Sequence, residues 1–178
     1  MTGRGKSIVL IGFMGAGKSS VGRRLAQLTE LPRFDTDEMI AEDFGVSVAQ
    51  IFAKHGEKAF RDAETRMLRR LRRGSGTIIA TGGGIVLRPE NVELLKKLGC
   101  VVHLDVDEET LFGRLMRGPA RPLIQTENLR AIMKKLLSER APLYLAAADI
   151  VLRTSPFTQQ EVASAILWRM QILRNESR

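Results

Sequence analysis

The sequence predicts an α/β domain built on a central, mainly parallel sheet flanked by helices. Three observations predict it. Short apolar runs of strand length recur along the chain, as in Ser7 to Gly12 (SIVLIG) and Thr77 to Ala80 (TIIA), the pattern of strands buried on both faces. Between them lie stretches with apolar residues at helical spacing, such as Val21, Leu25 and Leu28. Hydrophobic residues make up 44% and charged residues 27% of 178 residues, a globular composition that argues against disorder and against a membrane protein and suits one domain with a sizeable core.

Taken in order, Ser7 to Gly12 is the first strand and Gly17 to Leu28 the first helix, with Pro32 beyond its end. Arg33 to Thr36 reads as a short second strand. Asp37 to Phe44 and Val48 to Arg73 read as helices, the second interrupted at His55-Gly56. Thr77 to Ala80 is the third strand and runs into Gly82-Gly83-Gly84. Pro89 opens a helix that reaches Leu98, with Gly99 as its stop. Val101 to Val106 is a strand and Glu108 to Met116 a helix, after which Gly118-Pro119 breaks the pattern before Arg121-Pro122. Glu127 to Ala141 reads helical, Ile150 to Arg153 is the last strand, and Thr158 to Arg174 is a closing amphipathic helix. No repeat, low-complexity segment or long linker divides the chain, so residues 1–178 read as one domain.

Composition narrows the chemistry. Aromatics are only 5%, which leaves few platforms for stacking single-stranded nucleic acid. One cysteine rules out a disulfide framework and a cysteine zinc site, and 2 histidines argue against imidazole-based metal chemistry. The net charge of +8, carried mostly by arginine, fits a nucleic-acid surface, a grip on small anionic substrates, or a solvated basic surface. Acidic residues interspersed on most helices weaken the first reading. Arg4, Lys6 and the apolar run from Ile8 to Met14 mimic the start of a secretory signal, but the run is short and lacks a small-residue cleavage site. A cytoplasmic, monomeric protein with neither membrane nor nucleic-acid partner is expected.

The strongest motif is Gly12-Phe13-Met14-Gly15-Ala16-Gly17-Lys18-Ser19, a match to G-x-x-x-x-G-K-S/T between a buried strand and a helix. Such a loop turns backbone N–H groups inward at a helix N-terminus to cradle phosphates. Gly15, Ala16, Gly17, Lys18, Ser19 and Ser20 are therefore the expected ATP contacts, with Lys18 reaching the β- and γ-phosphates and Ser19 a ligand of Mg²⁺. The fold expected with this loop is the three-layer P-loop nucleoside-triphosphatase fold.

Asp35-Thr36-Asp37 ends the second strand, at the sheet edge where open α/β folds bind ligands. One carboxylate could orient Mg²⁺ and the other orient or deprotonate an acceptor hydroxyl; capping of the following helix by Asp37 is the alternative. Arg61, followed one turn on by Glu64, together with Arg121 and Arg140, offers forks for carboxylate or phosphoryl groups, against the alternative of exposed ion pairs. The run Gly82, Gly83 and Gly84 is either a close backbone approach to a ligand or a flexible turn.

Together these pieces resemble the shikimate kinases, small P-loop kinases related in fold to the nucleoside monophosphate kinases. The resemblance rests on IGFMGAGKSSVG, FDTDEMI, FRDAE, ATGGGIV, HLDV, ARPLI and ERAPLY in family order from Ile8 to Thr154. It implies transfer of a phosphoryl group from ATP to the 3-hydroxyl of shikimate, a kinase for another polyhydroxy acid such as gluconate being the alternative. It further implies that Asp37 takes the ring hydroxyls and that Arg61 and Arg140 take the carboxylate, helped by Gly82, Gly83 and Gly84. Lys18, Asp37 and Arg121 then carry catalysis, Asp35 stands near the Mg²⁺ shell, and Arg121 is the lid arginine that closes on ATP. By resemblance the substrate region spans about residues 35–64 and a short lid about 114–124. Arg114 and Arg117 compete for stacking on adenine, whose other side is expected near Thr154-Ser155-Pro156.

Other conspicuous residues read as structural. Arg66, Arg69, Arg70, Arg72 and Arg73 match a helix C-terminal dipole. His103 reads as a satisfied core histidine, Cys100 as a small core hydrophobe, and Met133, Met170 and Trp168 as core residues at helical spacing. His55 borders the acceptor region.

Overall fold

The run SIVLI becomes β1 (Ser7–Ile11), the middle strand of a five-stranded sheet in a computed structural model that describes residues 7–71, 76–117 and 128–176. Every β1 residue is buried, as a strand covered on both faces must be. The flanking strands are β2 (Arg33–Asp35), β3 (Ile78–Ala80), β4 (Gly99–Asp105) and β5 (Ile150–Arg153), in the order β2-β3-β1-β4-β5 with parallel pairings throughout. The chain leaves β1 toward β2 and β3 on one side and later builds β4 and β5 on the other. That divergence opens a crevice at the carboxyl end of β1, where an open α/β sheet accepts ligands.

The helices are α1 (Lys18–Thr29), α2 (Thr36–Phe44), α3 (Val48–Arg70), α4 (Pro89–Leu98), α5 (Glu108–Arg117), α6 (Leu129–Ala147) and α7 (Gln159–Glu176). A 3-10 turn at Ile85–Leu87, not anticipated, follows the glycine run. Leu10, Ile11, Leu25, Ile79, Leu95 and Val101 are wholly buried in the main core, each contributing roughly 1.5–3 kcal/mol of transfer free energy. A second, smaller core lies between α2 and α3, from Ile40, Ile51, Phe60, Ala63 and Met67. It gives the expected substrate region hydrophobic support of its own.

Several boundaries differ from expectation for identifiable reasons. Thr36 belongs to α2 rather than to the second strand, and the helix is capped by Asp35, whose Oδ1 accepts from the backbone N–H of Asp37 at 3.2 Å. Capping by Asp37, the alternative to an acceptor role, is thus done two residues earlier by Asp35. Gly99 opens β4 in extended geometry, φ 179°, and a β-carbon there would strike the carbonyl of Ser7. Its role is close passage of β4 against β1 rather than a left-handed helix stop. Helix α6 runs on past Pro142 to Ala147, because the extra turn buries Tyr144 and Ala147 in the main core and that burial outweighs a lost hydrogen bond. Helix α3 has one break, at Gly56 (φ 78°, ψ 169°), as expected.

Trp168 is 60% exposed, off the buried Val162, Ala163 and Ile166 stripe of α7, so it is not a core residue; Met133 is buried and Met170 partly so. His103 is buried and stacks on Tyr144 with ring centroids 5.0 Å apart. Its Nδ1 has no hydrogen-bond partner among the described residues, so the expected satisfaction is not seen, and burial pushes its pKa down. Cys100 is buried, as expected. Arg69 and Arg70 pair across helices with Glu90 and Asp43; Arg72 and Arg73 lie outside the described residues.

Candidate active site

The P-loop joins β1 to α1. Gly15 and Gly17 take φ of 81° and 91°, a left-handed backbone that glycine adopts without steric cost and that turns the loop into an anion-binding nest. Lys18 folds back along it, its Nζ donating to the carbonyls of Gly12 at 2.7 Å and Phe13 at 2.8 Å. Beside it opens a cavity of about 1030 Å³ lined by Gly15 to Ser20, Asp35, Asp37 and Gly83. The expected ATP contacts from Gly15 to Ser20 all border it.

Ser19 Oγ donates to Asp35 Oδ2 at 2.6 Å, and Arg33 approaches the same oxygen at 3.4 Å. A hydroxyl and a carboxylate in contact beside a phosphate nest are hard oxygen donors suited to Mg²⁺, which takes one or two protein oxygens and completes its shell with phosphate and water. Among the described residues no group of three or more histidine, cysteine and acidic side chains gathers into an all-protein metal cage.

A second cavity of about 360 Å³ lies toward α2 and α3, lined by Asp37, Phe52, Arg61, Glu64, Gly82 to Gly84 and Arg140. The sequence-expected acceptor residues converge here from four separate segments. Met14, Asp37 and Gly83 line both cavities, so the two spaces meet at the Asp37 carboxylate.

Arg61 is 7% exposed and tightly held. Its NH1 donates to Glu64 Oε2 at 2.8 Å, the orienting contact expected from spacing. Its Nε and NH2 also donate to Glu57 Oε1 at 3.2 and 3.0 Å, a contact the sequence reading missed. Glu57 stands four residues before Arg61, on the same side of the break at Gly56, so this i, i+4 relation lay open in the sequence. Burial works against the charge of Arg61, but Glu64 and Glu57 outweigh it and hold its pKa above the ordinary value. Burial pushes Glu64 up to about 7, against the pull of Arg61; its Oε1 is buried without a hydrogen-bond partner among the described residues. Arg140 is 6% exposed and lies over Phe13, 5.9 Å from the ring centroid.

The glycine run is neither a flexible turn nor explained by ligand approach alone. A β-carbon on Gly82 would come within 2.5 Å of Asp37 Oδ1, one on Gly83 within 3.1 Å of the Met14 nitrogen, and one on Gly84 would collide with the Arg61 guanidinium. The segment is pinned: Gly82 N–H donates to Thr36 Oγ1 at 3.1 Å and Gly83 O accepts from the Tyr144 hydroxyl. Tyr144, buried and with its pKa pushed up to about 12 by burial, is a second missed residue; only the continuation of α6 beyond Pro142 brings it here.

Of the two competing arginines, Arg114 lines the P-loop cavity and donates from NH1 to Gly15 O at 3.2 Å. Arg117 turns back on its own helix, Nε to Gly113 O at 3.0 Å. On the far wall Thr154 lines the cavity, but the next residue to do so is Phe157, 51% exposed, rather than Ser155 or Pro156. His55 is exposed against Phe44 and does not line the second cavity. Arg121 and residues 118–124 of the expected lid lie outside the described residues.

Residues 14–171 match the family model described as shikimate kinase. A shikimate kinase of Thermodesulfovibrio yellowstonii is 43% identical over 170 residues, covering 96% of this chain and 98% of that protein. The solved shikimate kinase of Acinetobacter baumannii in complex with shikimate superposes with TM-score 0.89 at 38% identity, covering 98% of this chain and 96% of that one. A gluconokinase of Sinorhizobium meliloti, at 16% identity and TM-score 0.53 over 99% of this chain and 97% of its own, shares the fold alone.

Proposed function

The chain belongs to the shikimate kinase family, and from that premise we propose how its own residues carry out ATP-dependent phosphorylation of shikimate. The observation that carries the assignment of roles is the shared wall: Asp37 and Gly83 border both the P-loop cavity and the arginine-lined cavity. A phosphoryl group in the first and a hydroxyl in the second would meet at Asp37.

In the reaction the 3-hydroxyl oxygen bonds to the γ-phosphorus, the bond to the β–γ bridging oxygen breaks, and ADP leaves. Asp37 orients the hydroxyl and accepts its proton. Lys18 exchanges the Gly12 and Phe13 carbonyls for β- and γ-phosphate oxygens. Arg61 and Arg140 grip the acceptor carboxylate, and the pinned backbone of Gly82 to Gly84 fixes the floor beneath it. Ser19 and Asp35 would hold Mg²⁺, which when bound neutralises charge on the phosphates. Arg114 is the arginine placed to cover the nucleotide, and Arg121 completes the set by family resemblance.

A monomer is the proposed working unit. The single, buried cysteine fits a reducing, cytoplasmic setting. No helix among the described residues is long and apolar enough to cross a membrane.

The test is a coupled ADP-release assay with Mg-ATP and shikimate, with gluconate and nucleoside monophosphates as controls. Turnover with shikimate and not with the controls is expected. ATP binding without shikimate turnover would overturn the acceptor assignment and redirect attention to Asp37, Arg61 and Arg140 as a clamp for another acid.

A further inference from the structure

A guanidinium has five N–H groups in one plane, and Arg61 has three of them engaged. Glu57 Oε1 bridges Nε–H and one N–H of NH2, and Glu64 Oε2 takes one N–H of NH1. Among the described residues two remain, one on each terminal nitrogen. The face of the group lies against Gly84, where a β-carbon would meet Cζ and both terminal nitrogens, and Phe60 flanks it with its ring centroid 5.5 Å from Cζ. The plane is wedged, and its rotation within that plane is set by the two carboxylates.

The helix resumes at Glu57 after the break at Gly56, and Glu57 stands one turn before Arg61. Its side chain is 57% exposed, so it adds little to the core. A carboxylate on the surface that spends both its reach and its charge on a buried arginine is a positioning device.

We propose that Glu57 is a positioning residue for the acceptor carboxylate: by filling the Nε/NH2 edge of Arg61 it leaves the two terminal N–H groups as the grip, in the cavity that Arg140 also lines. The inference rests on the reading that Arg61 receives the substrate carboxylate. The rival meaning of the same contact is competition, with Glu57 occupying a fork that substrate must empty. The engagement of NH1 by Glu64 on the other side favours positioning, because it leaves N–H groups on both terminal nitrogens unspent.

The experiment is steady-state kinetics of the full chain and of E57A, E57Q and R61A, with shikimate and with its uncharged methyl ester, alongside melting temperatures. Loss of one charge-assisted contact is expected to raise the KM for shikimate about tenfold in E57A, with kcat within about twofold and the KM for ATP unchanged. E57Q, which keeps an acceptor oxygen, is expected to recover most of that loss. With the ester, E57A and the parent are expected to agree, a result that a merely structural role for Glu57 would not produce. A lower KM in E57A would establish competition and overturn the proposal, as would an unchanged KM or an equal effect on the ester. If R61A leaves the KM for shikimate unaltered, the carboxylate assignment itself fails and the inference falls with it. If R61A raises the KM and E57A does not, only the inference falls.

Discussion

Across Gly82, Asp37 and Glu64 aim one carboxylate oxygen each at the same point: a β-carbon there would lie 2.5 Å from Asp37 Oδ1 and 2.9 Å from Glu64 Oε1. The glycine is therefore the gap through which the acceptor cavity keeps its two carboxyl groups close to the floor of the site. Glu64 is held in turn by Arg61, so relief of a clash at Gly82 has to come largely from Asp37.

Gly82→Ala is accordingly expected to cost about 1–3 kcal/mol of stability from overpacking and to lower kcat at least tenfold by displacing Asp37. Thermal melts and single-turnover rates measure the two effects. A variant as active as the parent would show that Asp37 tolerates the shift.

Glu64 gives a pH dependence with a definite sign. Its folded-state pKa is raised from 4.5 to about 7, chiefly by burial. Between those values the unfolded chain has released the proton and the folded chain has not, so stability falls as pH rises through that window, and the full penalty is present above it. Glu64→Gln does not titrate. The stability of E64Q relative to the parent is expected to improve by on the order of 3 kcal/mol from about pH 4 to about pH 8, measured by urea titration at each pH. A difference that does not change with pH would mean that the Arg61 pairing keeps Glu64 ionised throughout.

Lys18 and Arg140 should separate kinetically. Lys18→Ala removes the group placed for the transferring phosphoryl and is expected to collapse kcat by about a thousandfold. Arg140→Ala is expected mainly to raise the KM for shikimate, tenfold or more. Equal losses in both parameters from both variants would contradict the division of roles.

Tyr144→Phe removes the hydroxyl that donates to Gly83 O. The half-buried carbonyl then loses that donor, at a cost of about 1 kcal/mol. Because Gly83 lines both cavities, the KM for shikimate is expected to rise several-fold as the floor relaxes. Denaturant melts paired with substrate titration read both changes.

Arg114→Ala is expected to raise the KM for ATP about tenfold, while Arg117→Ala changes it less than about twofold. Arg114 reaches Gly15 O, and Arg117 bonds within its own helix. A reversed order would place the nucleotide on the other face of α5.

Much of this was legible in the sequence because the signals are local. SIVLI and TIIA are apolar over strand length but for a leading hydroxyl residue, the pattern of a strand covered on both faces. The P-loop carries its geometry in its glycines, and the pairing of Arg61 with Glu64 follows from one helical turn. The sequence also held, in family order, the acceptor residues Asp37, Arg61, Gly82 to Gly84 and Arg140. What it could not hold is which atoms face one another. That Arg114 rather than Arg117 reaches the P-loop, and that α6 continues through Pro142 to bring Tyr144 onto Gly83, depend on packing between segments far apart in the chain. Glu57 marks the boundary between the two. Its spacing from Arg61 is local, but its use depends on how the backbone resumes after Gly56. Residue types and short-range periodicity fix the strands, helices and phosphate loop, since those follow from burial and hydrogen bonding within a few residues. The orientation of buried charges is decided only when distant segments close around them, because each is set by the partners that remain once water has been excluded.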